Sequence, residues 1–340
     1  MKKLITISST FFFIFLLLGF SCNVSHAQQK IVKLNYSNFW AATHRFTQLQ
    51  EEWIKEIEKG TNGAVKITLF HGGTLTPFAQ TYDSVVKGIA DIGCSVVGYT
   101  KGRFPLMEVI DLPVGHKSGY VTTKCMNELY YKFKPKEFDD VKVMYFHAHP
   151  PGVIQTKRPV YKLDDLKGMK IRSSGVTAKI VKTLGGTPVS MPISEVYDAL
   201  SKGIIDGNMQ TWEAMQGSRL ADLLHNTTEC NKAAQSTGFF IVMNKKKWNS
   251  LTPEQQTIIE QINVKFIEKQ GKQWDEADKA AKDWTLKKGN HKVIVLPPEE
   301  QDLWAQKVKV TLVDYVNDTK KLGIPGDEAL RFVQDYLKAH

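Results

Sequence analysis

The sequence predicts an α/β protein built as two units, and three observations carry the prediction. From Ile31 to Val97, strand-like apolar runs alternate with amphipathic helical patterns, the strand coming first each time. From Gly152 the same alternation starts again and runs to Gln210. From Pro253 one helical pattern runs on to Trp284, longer than a single small domain needs to cover a sheet. Strand-first alternation favours a parallel sheet with both faces covered, because each parallel pair needs a crossover that lays a helix on the sheet.

The first unit opens with Ile31 to Tyr36, which alternates apolar and polar residues as a strand does. After Ser37-Asn38-Phe39-Trp40, the residues Phe46, Leu49, Trp53, Ile54 and Ile57 recur at helical spacing until Gly60-Thr61-Asn62-Gly63 stops them. Val65 to Phe70 is the second strand, His71-Gly72-Gly73-Thr74-Leu75 a loop, and Pro77 opens a helix through Val85 and Val86 to Gly88. Asp91 to Val97 reads as the third strand, Met126 to Phe133 as a helix and Val141 to His147 as a further strand. In open sheets of this kind ligands gather beyond the carboxyl ends of the strands, where Phe39, Trp40, Gly72, Gly73, Gly98 and Tyr99 fall.

The second unit centres on Arg172, which ends a short apolar run through Met169 and Ile171. The turn Leu163-Asp164-Asp165-Leu166-Lys167-Gly168 precedes that strand. Ile180, Val181 and Leu184 share the face of a helix after it, with Ser173 or Ser174 as its expected N-cap. A strand from Pro188 to Met191, a helix through Val196 and Leu200 and a strand ending near Gln210 complete the unit. Gly238 to Met243 is another strand. Along the long helical pattern, Ile258, Ile262, Phe266, Trp274, Ala277, Ala281 and Trp284 fall on one face. Val293 to Val295 is a strand, and the chain from Pro297 is helical to its end, interrupted at Gly323-Ile324-Pro325-Gly326.

Arg172 therefore stands where a strand ends and a helix begins. A guanidinium fork beside free backbone N–H groups suits a carboxylate. The same residue also reads as a surface Arg paired with Asp164 or Asp165. The surrounding text decides between them: K-R-P at Lys157, D-L-K-G-M-K-I-R ending at Arg172, P-V-S-M-P-I-S-E-V-Y-D-A-L from Pro188, and G-I-I-D-G from Gly203. This stretch resembles the signature region of the solute-binding proteins of TRAP transporters (the DctP family), tripartite ATP-independent periplasmic systems that import organic acids. Weaker likeness extends over nearly all of the chain that follows the export signal described below.

The resemblance implies a two-lobed periplasmic-binding-protein (Venus flytrap) fold with discontinuous domains and a long helix shared by both lobes. The strand at Gly238 then returns to the first lobe. The expected division is 28–150 plus 236–276 for lobe I and 151–235 plus 277–340 for lobe II, with two or three crossings as a hinge. The resemblance also makes Arg172 the residue that bridges the ligand carboxylate. Gln210 occupies roughly the place of a ligand-contacting Asn in sialic-acid-binding relatives; it also reads as a strand-end amide bonded to the backbone. Trp212 stands where relatives often set an aromatic against the ligand, or packs the hinge instead. Gln155, at another strand end, is a further candidate donor to the carboxylate.

In the same relatives a second Arg precedes the K-R-P element. Pro151 stands there in this chain, which weakens the case for a sugar acid or a dicarboxylate held by two arginines. His147 and His149 lie close by, and His149 is a candidate second polar anchor. As H-x-H they also read as metal ligands, although a satisfied structural His is the commoner role. Phe39, Trp40, Tyr99, Trp212 and Phe239 near strand ends each read as core, and together favour a monocarboxylate with an apolar or aromatic tail.

Composition is ordinary for a soluble globular chain, with 42% hydrophobic and 24% charged residues among 340. The formal charge is +10, and removing a leading segment that carries Lys2 and Lys3 and no acid leaves +8. The lysines are scattered and no nucleic-acid-binding motif is present, so nucleic acid is not an expected partner. Met1-Lys2-Lys3 followed by a run of apolar residues, with the small residues Ser25 and Ala27 at the minus-three and minus-one positions of a cleavage site before Gln28, predicts a signal peptide over 1–27 and export to the periplasm. Cys22 raises a lipoprotein alternative with a poor lipobox. Of the remaining cysteines, Cys94 lies in an apolar run as an expected buried thiol, and a Cys125–Cys230 bridge is open. None of the spacings suits zinc.

No G-x-S-x-G elbow, P-loop, dinucleotide fingerprint or H-E-x-x-H is found, so an enzyme is not expected, nor a cofactor. The expected partners are a small organic acid and the small and large membrane subunits of a TRAP permease, with the chain itself a monomer. The alternatives are the binding protein of an ATP-driven importer, a sensor receptor or, less favoured, a secreted enzyme.

Overall fold

The computed structural model describes residues 31–340, so the expected signal peptide and Cys22 lie outside the described residues. The chain builds one five-stranded and one six-stranded sheet, each with its own helices. The first sheet starts as the sequence predicts. Strand β1 (Val32–Asn38) leads to helix α1 (Arg45–Gly60), β2 (Val65–Phe70), α2 (Thr81–Val86) and β3 (Ile92–Val96), and β1 pairs in parallel with both β2 and β3. Helix α1 starts where the sequence places it because His44 Nδ1 caps the Phe46 N–H at 3.4 Å. Its apolar stripe, Phe46, Leu49, Trp53, Ile54 and Ile57, is fully buried against the sheet.

The chain then forms α3 (Gly119–Phe133), longer than its apolar pattern suggests, and β4 (Val141–Ala148). Beyond His149 it crosses to the second sheet, laying down β5 (Val153–Thr156), β6 (Lys170–Ser173), α4 (Val176–Thr183), β7 (Thr187–Ser190), α5 (Val196–Ser201), β8 (Gly207–Gln210), α6 (Glu213–Gly217) and β9 (Asn226–Glu229). It returns to the first sheet with β10 (Gly238–Asn244), then forms the short α7 (Lys245–Asn249), the 35-residue α8 (Pro253–Lys287), β11 (Lys292–Val295) in the second sheet, and α9 (Pro298–Lys321) and α10 (Gly326–Ala339). The strand orders are β2-β1-β3-β10-β4 and β11-β9-β5-β8-β6-β7. Both sheets are therefore mixed rather than wholly parallel. Strand β10 enters antiparallel to β3 and β4 because it arrives by a crossover from the other sheet, and β5 is antiparallel to β8 and β9.

Three details depart from the sequence reading. Neither Ser173 nor Ser174 caps α4; the cap is Gly175, with φ 51° and ψ −129°. Strand β9 has no apolar alternation to announce it. It is buried all the same, because Thr228 Oγ1 donates to the Val160 carbonyl and Asn226 Nδ2 to the Lys157 carbonyl. The buried stripe of α8 runs Ile259, Asn263, Phe266, Gln270, Trp274, Ala277, Ala281, so Ile258 and Ile262 lie one position off it. Asn263 holds that register by accepting from the Trp53 indole at 2.9 Å.

Helix α8 begins with a capping box of Thr252 and Gln255 and a Pro at its first turn. It packs on α1, α3 and β4 along the first sheet and on α6 beside the second. Two of its carboxylates cap the starts of other helices. Asp275 accepts from the Gly119 and Tyr120 N–H groups of α3 (2.6 and 3.0 Å), and Asp278 accepts from the Glu213 N–H of α6 (2.8 Å). Helix α10 folds back onto α3, burying Ala329, Val333 and Leu337. Cys94, Cys125 and Cys230 are all buried free thiols, so the Cys125–Cys230 bridge left open by the sequence is not formed. Among the described residues no helix is long and apolar enough to cross a membrane.

Candidate functional site

The carboxyl ends of β1, β3, β6 and β8 converge on a cavity between the two sheets, walled on a further side by α8. Its aromatic wall is Phe39, Trp40, Tyr99, Phe239 and Trp274. Phe39 stacks parallel to Phe239 at 6.1 Å and lies against Trp40 at 4.1 Å, while Trp274 meets Phe239 at 5.3 Å. The polar rim comes from Ser174, Gln210, Thr211, Glu213 and Thr237. The free volume of about 10 Å³ is that of about one water, so an organic acid enters with the walls apart.

Arg172 sits directly behind this wall, 1% exposed. Its Nε donates to the Met191 carbonyl at 2.9 Å and its Nη2 to the Tyr99 hydroxyl at 3.3 Å. The same hydroxyl accepts from the Ile193 N–H at 3.1 Å. Among the described residues no carboxylate pairs with Arg172 and its Nη1 makes no hydrogen bond. Asp164 pairs with Lys167 instead, and Asp165 caps its own turn through the Tyr161 and Lys162 N–H groups. A buried cation without an anion is costly, and the Tyr99 that accepts from this one is itself cavity wall.

The other residues named from the sequence divide. Phe39, Trp40, Tyr99, Phe239 and Gln210 line the cavity; the Gln210 Oε1 also accepts from the Thr211 N–H. Gln155 and Trp212 do not line it. The Gln155 amide is consumed within its own sheet, donating to the Thr211 carbonyl at 2.7 Å and accepting from Asn208 at 3.1 Å. The Trp212 indole donates to Glu229 at 2.9 Å beneath Lys282, which is the packing role rather than the ligand wall. His149 is fully buried, its Nδ1 donating to the Pro150 carbonyl at 2.6 Å, and its ring lies 6.3 Å from Phe239. Burial pushes its pKa down to about 3, with the Arg172 charge a lesser cause acting in the same direction. His147 is likewise pushed to about 3 by burial; it accepts from the Trp274 indole at 3.0 Å and stacks on Phe239. Both are neutral spacers behind the aromatic wall, and among the described residues no side-chain group could hold a metal ion.

Sequence reasoning missed Trp274, Glu213 and His44. Trp274 was visible only as one more member of the α8 stripe. Glu213 lines the cavity, and its Oε1 lies 3.2 Å from Nε2 of His44, which caps α1 beyond the end of β1; the pair is not aligned as a hydrogen bond. Extending each strand end by three to six residues would have reached both.

A two-lobed α/β clamp with a ring of aromatic side chains and a buried, unpaired guanidinium between its sheets is built to bind a solute. Residues 36–318 match the model of the bacterial extracellular solute-binding proteins, family 7 (DctP). The chain belongs to that family, whose members are extracytoplasmic solute receptors rather than enzymes. It is similar to the structure of a TRAP periplasmic solute-binding protein from Desulfovibrio salexigens, with 33% identity, 91% of this chain and 96% of that one covered, and a TM-score of 0.81. A marine metagenome TRAP solute-binding protein specific for aromatic acids, in complex with metahydroxyphenylacetate, is 28% identical over 91% of this chain and 99% of that one, with a TM-score of 0.86. A TRAP solute-binding protein from Rhodoferax ferrireducens, holding copurified benzoate, is 28% identical over 91% and 98%, also at 0.86.

Proposed function

We propose that this receptor captures an aromatic or apolar monocarboxylate and presents it to the small and large membrane subunits of a TRAP permease. The observation that carries the proposal is Arg172, a buried guanidinium with no carboxylate partner among the described residues, one hydrogen bond behind an aromatic cavity. The ligand carboxylate meets Arg172 through Nη1, beside the Tyr99 hydroxyl that accepts from Nη2. Phe39, Trp40, Phe239 and Trp274 sort the tail by stacking and shape, and Gln210 meets a polar substituent at the rim. Similar proteins that hold benzoate and metahydroxyphenylacetate support this tail preference.

Gln155, Trp212 and His149 act behind the ligand, fixing strand ends and ring positions. The lobes are 28–150 with 236–276 and 151–235 with 277–340, α10 lying back across α3. The export signal of residues 1–27 delivers a periplasmic monomer, which needs no cofactor.

Calorimetric titration of the purified protein with benzoate, 3-hydroxybenzoate, mandelate and pyruvate, each beside its neutral amide, tests the proposal. Aromatic acids should bind, their amides should not, and pyruvate should bind more weakly for want of a ring. Equal binding of an acid and its amide would remove the carboxylate from the account.

A further inference from the structure

Two glycines meet at the edge of the cavity. Gly98 follows β3 of the first sheet, and Gly175 precedes α4 of the second. A β-carbon on Gly98 would lie 3.2 Å from the Gly175 Cα and 3.5 Å from its N. One on Gly175 would lie 2.9 Å from the Gly98 Cα and 3.3 Å from its O. Backbone thus rests on backbone, with the Asp111 Oδ2, 3.4 Å from the Gly98 β-carbon position, as the one side-chain neighbour among these contacts. Gly175 has a second reason to be glycine, its φ of 51°. Gly98 has none: it is not among the glycines with positive φ, so any residue could adopt its backbone. What Gly98 supplies is the absence of a side chain.

The neighbours of this contact are cavity wall, Tyr99 beside Gly98 and Ser174 beside Gly175. The Tyr99 hydroxyl reaches across to the second sheet, 3.3 Å from Arg172 Nη2 and 3.1 Å from the Ile193 N–H. Both bonds are near the long end of hydrogen bonding, so parting the sheets by a few tenths of an ångström weakens these bonds, and parting them by a larger side chain breaks both. The contact is in series with the guanidinium.

We propose that Gly98 and Gly175 are positioning residues for ligand capture: their bare backbone contact sets how closely the two lobes approach, and so whether Tyr99 meets Arg172 around the ligand. The proposal rests on the carboxylate reading above. An acid docks first on the open walls and is trapped when the seam shuts. A side chain in the seam lowers the fraction of closed protein, and apparent affinity falls by that fraction. The loss appears in the dissociation rate, because the open form still receives the acid.

The test is Gly98→Ala and Gly98→Val, studied by stopped flow with benzoate, 3-hydroxybenzoate and mandelate. Relative to the wild type, dissociation should be faster by about 10-fold for alanine and about 100-fold for valine, from graded overpacking of the closed form, with the association rate unchanged. The ligand-free melting temperature should stay put, and the contraction on saturation seen by small-angle scattering should shrink in the same order. Wild-type dissociation and contraction in both variants would overturn the seam. So would a slower association with unchanged dissociation. If valine prevents folding, the alanine variant, whose β-carbon comes no closer than 3.2 Å to its neighbours, decides alone. A wild-type protein that binds none of the acids would overturn the carboxylate reading, and the seam with it.

Discussion

Replacing Arg172 by methionine should move ligand-free stability and ligand binding in opposite directions. The guanidinium is 1% exposed, and its hydrogen bonds among the described residues go to the Met191 carbonyl and the Tyr99 hydroxyl. Holding an unpaired cation there costs several kcal/mol, whereas methionine fills a similar length without charge. Against that gain, the Met191 carbonyl is left unpaired at about 1–3 kcal/mol. Tyr99 keeps its bond from Ile193. The ligand-free variant should therefore be unchanged or up to about 3 kcal/mol more stable, a rise of a few degrees in Tm.

With benzoate at about 100 times its Kd, the wild type should gain about 2.7 kcal/mol by mass action. The variant loses a buried ion pair worth about 3–5 kcal/mol, hence about two to three and a half orders of magnitude in affinity, and should show no shift. Differential scanning fluorimetry of both proteins, with and without benzoate, reads both effects in one plate. A variant that melts several degrees lower and still shifts with benzoate would make Arg172 a structural residue and refute the reasoning.

Two further outcomes follow from buried titrating groups. Burial pushes the Asp278 carboxyl up to about 7, with Lys282 pulling the other way. A carboxyl raised in the folded state contributes stability that is present below its unfolded value and lost as pH rises toward 7. Asp278→Asn keeps an oxygen for the Glu213 N–H and should remove that slope, gaining up to about 4 kcal/mol on the wild type at pH 8 and little at pH 4. Urea midpoints at both pH values check it, and parallel curves would count against it. Burial also pushes the Cys94 and Cys125 thiols up to about 12 and Cys230 to about 11. A thiol reagent at pH 8 should leave all three unlabelled in the native protein and label them after unfolding, while rapid native labelling of Cys125 or Cys230 would contradict the packing.

The position of Arg172 at the end of a strand was legible because the turn before it, the apolar residues beside it and the helix after it are local. Its lack of a partner was not, since Asp164 and Asp165 read equally well as partners and only the family resemblance set them aside. The aromatic wall was half legible. Phe39, Trp40, Tyr99 and Phe239 follow from the rule that strand ends face the cleft, but that rule cannot say which way a side chain points. Gln155 also sits at a strand end, and its amide turns to Asn208 on the neighbouring strand. Trp212 lies two residues past one, and its indole turns to Glu229. The first turns of α8 depart from the sequence reading by one position, at Ile258 and Ile262, because Asn263, a polar residue, takes the buried face for the sake of the Trp53 indole, whereas Phe266, Trp274, Ala277 and Ala281 are buried as expected. Strand β9 was not seen, since its buried threonines and asparagine are satisfied by partners more than sixty residues away in the chain.

One turn of α8 brings the whole machine together. Trp274 lines the cavity, Asp275 caps α3 beside the first sheet, and Asp278 caps α6 beside the second. The His44–Glu213 pair lies on this same side, since Asp278 caps the Glu213 N–H. Away from α8 the links include the two long bonds of the Tyr99 hydroxyl, the glycine contact and the Tyr315 hydroxyl on the Leu106 carbonyl. When the lobes part, the weaker side gives first. Parting at the Tyr99 side would cost its hydroxyl two bonds from the second sheet and leave both helix caps in place, which predicts α8 as the pivot. A carboxylate on the Arg172 fork that also meets the Tyr99 side gains contacts available only when the lobes are together, which is how a small anion can favour the closed form.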